Sequence, residues 1–124
     1  MNKKQTILIV DDDVDFVKTL GYLLEGEGFE TLIAYEGIRA VEQATKHLPN
    51  LILLDLQMPA GTGQSVISTL RSHVETKKIP IIILTALDDP KLEETFRNAG
   101  AQTLIKKPYD PETLLKKIRQ FLTP

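Results

Sequence analysis

Four carboxylates crowd the stretch Asp11-Asp12-Asp13-Val14-Asp15, and a further one, Asp55, ends a short apolar run forty residues on. Thr85 closes another apolar run, and Lys106-Lys107-Pro108 closes a shorter one. Two carboxylates ~4 Å apart repel by about 4 kcal/mol at an effective dielectric near 20. Three together must be protonated, partly neutralised or bridged by a cation. Oxygen-only ligands, few in number and open to solvent, suit Mg²⁺, with Mn²⁺ a possible substitute. Mg²⁺ keeps several waters and accepts one or two carboxylates plus a phosphate oxygen. Lys107 can balance the remaining charge, and Thr85 offers a hydroxyl to an incoming oxyanion. An acid cluster for metal, one carboxylate as nucleophile and two donors for a phosphoryl group together describe covalent phosphoryl transfer to a carboxylate.

That chemistry requires the four stretches to converge, and the rest of the chain supplies the means. Ile7-Leu-Ile-Val10, Leu51-Ile-Leu-Leu54 and Ile79-Pro-Ile-Ile-Ile-Leu84 are short and almost wholly apolar. They lack the polar alternation of a half-wet strand, so they read as strands buried on both faces of a parallel sheet. Thr31-Leu-Ile-Ala34 and Thr103-Leu-Ile-Lys106 are more polar and suit sheet edges. Between them run stripes at helical spacing: Val14, Val17, Leu20, Leu24; Ile38, Val41, Ala44, Leu48; Ile67, Leu70, Val74; Leu92, Phe96, Ala99; and Leu114, Leu115, Ile118, Phe121, Leu122. Asp89-Pro90 and Asp110-Pro111 each read as a helix cap followed by proline in the first turn. Gly26, Gly28 and Gly100 fall at or just past helix ends.

The order is β-α repeated five times. Parallel strands with right-handed crossovers carry helices on both faces. The common five-stranded solution is a doubly wound, flavodoxin-like α/β sandwich with strand order 2-1-3-4-5. Its ligands sit at the carboxyl ends of the strands, where the winding reverses. Asp11, Asp12, Asp55, Thr85 and Lys107 all fall just there, rimming one shallow crevice.

Composition narrows the classes further. At 124 residues the expected organisation is one domain spanning 1–124, with a core from about 6 to 122. The absence of cysteine removes disulfides, thiolate nucleophiles and zinc–thiolate sites together. A net charge of −2 argues against non-specific nucleic-acid binding. No apolar run approaches the ~20 residues of a membrane span, and the N-terminus lacks signal-peptide features. The expected location is the cytoplasm.

Several polar residues carry plainer readings. Asp13 and Asp15 suit helix-capping duty after a strand. His47 and His73 read as surface residues on the second and third helices. Lys116, Lys117 and Arg119 read as the wet face of the last helix.

Taken in register, Ile7-Leu-Ile-Val-Asp-Asp-Asp13, Leu51-Ile-Leu-Leu-Asp-Leu-Gln-Met-Pro59 with Gly63, Ile81-Ile-Ile-Leu-Thr-Ala86, Ala99-Gly-Ala101 and Lys107-Pro108-Tyr109 resemble the receiver domain of bacterial two-component response regulators. The resemblance implies Asp55 as phosphoacceptor, Asp11 and Asp12 as the acidic pocket, and a main-chain carbonyl of Gln57 on the metal. It implies Thr85 as switch hydroxyl, Lys107 as its phosphoryl-pairing lysine, and a cis bond at Pro108. Its implied phosphodonor is a sensor histidine kinase or histidine phosphotransfer protein. Its output is an effector protein or an attached output domain, reached through the face of the fourth helix, fifth strand and fifth helix. The chain itself would catalyse its own aspartyl phosphorylation and dephosphorylation, as a switch rather than a conventional enzyme.

Departures from the family pattern matter too. Leu104 stands where many relatives carry an aromatic switch residue, so the signal is expected to travel through the loop after Thr85. Gln102 and Thr103 replace acids used in one dimer mode, pointing to a monomer or weak dimer. Gln57 and Leu87, at positions governing water access, are not acidic. Two other functions compete: a haloacid-dehalogenase-like phosphatase using Asp11 as nucleophile, and a scaffold that binds partners without phosphorylation.

Overall fold

The protein is described by a computed structural model over residues 4–56 and 63–122. The order is β1 (Thr6–Val10), α1 (Val14–Gly26), β2 (Glu30–Ala34), α2 (Gly37–His47), β3 (Leu51–Leu54), α3 (Gly63–Ser72), β4 (Ile81–Thr85), α4 (Leu92–Ala99), β5 (Thr103–Lys106) and α5 (Pro111–Phe121). All strand pairs are parallel, in the order β2-β1-β3-β4-β5. The doubly wound sheet and its strand order are those expected from the sequence.

The apolar runs work because each strand faces two layers. Ile7 and Ile9 join Val17, Leu20 and Leu24 of α1 and Leu114 and Ile118 of α5. Leu8 and Val10, alternating to the opposite face, join Ala40 and Ala44 of α2, Ile67 and Leu70 of α3, and Phe96 of α4. Every residue of β3 and β4 is buried, which explains why those segments show no polar alternation.

Helix ends follow local chemistry. Asp13 accepts a hydrogen bond from the Phe16 amide and caps α1, and Asp110 accepts from the Thr113 amide ahead of α5. Gly28 and Gly100 have φ of 92° and 120°, a region that disfavours any residue with a Cβ.

Some stripe members lie elsewhere than expected. Val74 is 78% exposed and lies beyond the end of α3, because the chain turns after Ser72, with Lys77 donating its amide to the His73 carbonyl. Val14, Ile38 and Leu48 are also exposed. The first two start their helices at the open rim, and Leu48 is the left-handed cap that ends α2. Asp89-Pro90 does not start α4. Asp89 instead accepts from the amides of Lys91 and Leu92 in a preceding turn, and the helix begins at Leu92. No described helix is long and apolar enough to cross a membrane.

Candidate functional site at the carboxyl rim of the sheet

Main-chain pairing continues one residue beyond the central strands, and this places the acids. The Asp11 amide donates to the Ala34 carbonyl at 3.1 Å, and the Asp55 amide donates to the Val10 carbonyl at 2.9 Å. The ends of β1 and β3 are thereby held side by side. On the next pair of strands Thr85 lies in register with Lys106, and the Lys107 amide donates to the Thr85 carbonyl at 2.8 Å. Residues separated by nearly a hundred positions are thus delivered to one rim by the register of the sheet.

Asp11 and Asp55 are buried, whereas Asp12 is exposed. Asp11, Asp12 and Asp55 each present a carboxylate oxygen, all lying within 4.8 Å of one another. Asp11 accepts from the Asp13 amide through Oδ1 at 3.0 Å and from Lys107 Nζ through Oδ2 at 2.6 Å. Lys107 Nζ lies 3.9 Å from Asp55 Oδ2. A single ammonium between two buried carboxylates offsets part of their repulsion and leaves the cluster net negative. These hard oxygen donors at the mouth of a crevice fit a divalent cation such as Mg²⁺.

Thr85 is wholly buried, and its Oγ1 accepts from the Leu87 amide at 3.2 Å. The Lys107–Pro108 peptide bond is cis, as the resemblance implied. Gln57 lies outside the described residues. Leu104 is partly buried against the α2, α3 and α4 side of the core. Gln102 turns inward: its Oε1 accepts from the Ile81 amide at 2.6 Å. His47 and His73 are exposed near the ends of α2 and α3, on the opposite side of the sheet from the strand carboxyl ends. Lys116 and Arg119 are exposed and Lys117 is half-buried on α5.

Of the lysine's two aromatic neighbours, Tyr109 lies in one of the motifs that carry the resemblance, whereas sequence reasoning did not single out Phe16. Lys107 Nζ sits 4.1 Å from the centre of the Phe16 ring, and Tyr109 meets that ring edge-on at 5.9 Å. Burial pushes the Tyr109 hydroxyl above its ordinary pKa. The available signal was that Phe16 is an aromatic one position off the buried stripe of α1, in the turn adjoining the acidic run. Beside these rings and Pro108 opens a cavity of about 550 Å³, with Asp13 and Asp15 at its edge.

A doubly wound sheet carrying an acidic triad, a hydroxyl and a lysine on successive strand ends defines a receiver. The chain belongs to the response regulator receiver domain family, which matches residues 7–119. Among its relatives, the polar-differentiation response regulator DivK of Brucella ovis is 32% identical over 118 residues, spanning 95% of this chain and 96% of its own. A putative response regulator from Chloroflexus aurantiacus superposes with a TM-score of 0.91 at 34% identity, over 96% of this chain and 98% of that one. The chemotaxis response regulator CheY4 of Vibrio cholerae superposes with a TM-score of 0.90 at 30% identity, over 97% of this chain and all of that one.

Proposed function

We propose that this chain accepts a phosphoryl group on Asp55 from a phosphohistidine of a sensor kinase or phosphotransfer protein, in a Mg²⁺-dependent reaction. The observation that carries this reading is the convergence of Asp11, Asp12 and Asp55 within 4.8 Å, with Lys107 between two of them. Asp11, Asp12 and Asp55 would hold the ion, with the Gln57 carbonyl as a further expected ligand. When bound, Mg²⁺ supplies charge neutralisation for the acceptor and the incoming phosphoryl oxygens.

Asp55 Oδ attacks phosphorus as the phosphorus–nitrogen bond to the donor imidazole breaks. The imidazole leaves with the electron pair, and solvent reprotonates it. Lys107 moves from Asp11 toward the new phosphoryl oxygens. The Thr85 hydroxyl, now facing an acceptor, rotates to donate to it and gives up the Leu87 amide. With Leu104 in place of an aromatic, this movement passes to the loop between Thr85 and α4 and changes the face made by α4, β5 and α5. An effector or attached output domain then binds that face with altered affinity. Hydrolysis of the acyl phosphate by water resets the switch, and the cytoplasm is where such a donor resides.

The phosphatase alternative makes Asp11 the nucleophile and gives Asp55 no such role, whereas Asp55 presents its carboxylate in the same cluster. Mass spectrometry after incubation with a phosphohistidine donor and Mg²⁺ is the test. A single adduct on Asp55, lost in Asp55→Asn, is expected. An adduct elsewhere, or partner binding that persists unchanged in Asp55→Asn, refutes the proposal.

A further inference from the structure

Phe16 is held from two directions at the edge of the acidic cluster. Its main-chain amide donates to the Asp13 cap at 3.1 Å, and Tyr109 packs edge-on against its ring with planes at 88°. The ring face is turned to Lys107 Nζ at 4.1 Å, and the lysine side chain is only 17% exposed. An ammonium over an aromatic face is attracted by the ring quadrupole, and more strongly as it loses water. Simple packing on the α1 and α5 side of the core would ask only for apolar volume. The placement over the ring face adds a demand on ring electrons that an aliphatic residue cannot meet.

We propose that Phe16 is a positioning residue whose ring seats the Lys107 ammonium on Asp11 and thereby lowers the affinity of the resting acidic cluster for a divalent cation. The inference rests on the metal reading above. Asp11 belongs both to the cation cluster and to the Lys107 ion pair. An ammonium and a divalent ion sharing one carboxylate repel each other. Whatever strengthens the lysine's seat therefore works against the ion, and the Phe16 ring is a neutral group in contact with that ammonium that can do so.

The test keeps shape constant and changes ring electrons. In the full chain Phe16 is replaced by mono-, di- and trifluorophenylalanine, and Mg²⁺ affinity is measured by titration calorimetry. Each fluorine weakens the quadrupole, so the Kd for Mg²⁺ should fall stepwise, by roughly three- to tenfold across the series. Phe16→Leu should move it in the same direction. A Kd that stays constant across the fluorinated series overturns the proposal. A second readout needs no metal: the Lys107 ε-methylene protons should resonate upfield in the unmodified protein and return to ordinary positions in Phe16→Leu. Ordinary shifts in the unmodified protein overturn the seating. Failure of the unmodified chain to bind Mg²⁺ overturns the metal reading itself, and the methylene shifts then decide the seating alone.

Discussion

Mg²⁺ at about ten times its Kd should raise the thermal midpoint of the unphosphorylated protein by about 5 °C, and Asp12→Asn should remove most of that rise. The carboxylate oxygens of Asp11, Asp12 and Asp55 lie within 4.8 Å of each other. At that distance a pair repels by about 3.5 kcal/mol at an effective dielectric near 20. Lys107 is paired with Asp11 at 2.6 Å and approaches Asp55 at 3.9 Å, so it offsets part of the repulsion between the two buried acids. Asp12 is exposed, and solvent and salt reduce its share to about 1 kcal/mol. Binding at tenfold excess over Kd stabilises by about 1.4 kcal/mol, and each kcal/mol is worth roughly 3–6 °C in a domain of this size. Differential scanning calorimetry with Mg²⁺, against NaCl at matched ionic strength, measures the shift. Without metal, Asp12→Asn should melt slightly higher than the parent, since one repelling charge is gone. A parent midpoint unmoved by Mg²⁺, or an Asp12→Asn variant that responds as fully as the parent, refutes the reasoning.

Three further outcomes are expected. Arg71→Ala should lower stability by about 2 kcal/mol in urea unfolding, because the half-buried guanidinium grips the carbonyls of Gly100 and Lys77 at 2.7 and 3.0 Å and ties α3 to the α4–β5 turn. Gly63→Ala would set a Cβ 2.7 Å from Leu56 Cδ2 and 3.1 Å from Leu56 Cα. Overpacking at about 2 kcal/mol should outweigh a helix-propensity gain of about 1 kcal/mol, for a measurable net loss in chemical denaturation. Burial raises the Tyr109 pKa, so the unfolded chain ionises this phenol first. Stability from Tyr109 is complete below about pH 10 and is lost as pH rises through its higher folded value. Urea midpoints measured on both sides of about pH 10 should therefore fall less steeply for Tyr109→Phe than for the parent.

The sheet was readable because its three central strands are buried on both faces. Unbroken apolar runs such as Leu51 to Leu54 have few other uses in a chain this short, and β3 and β5 begin and end where the runs do. The acids, hydroxyl and lysine were readable because a parallel sheet puts every strand's carboxyl end on one rim. Helix boundaries were less legible. Val74 keeps the period of α3 but lies beyond its end, and period alone cannot detect a turn such as the one in which Thr76 Oγ1 donates to the Leu70 carbonyl at 2.7 Å. Asp89-Pro90 has the composition of a helix start, yet Asp89 is used in a turn of its own. The aromatic seat of Lys107 was the least legible feature, since it depends on where a chain crossing 91 positions brings two side chains into contact, and spacing carries no such information.

The amide of Lys107 is fastened to the carbonyl of Thr85. The two side chains expected to greet a phosphoryl group hang from a single rung between neighbouring strands. A tug on either is felt by the other with no intervening slack, so their responses should come as one coupled event. Substituting either residue would then be expected to blunt the other's reply, and measured energies for the two should fail to add.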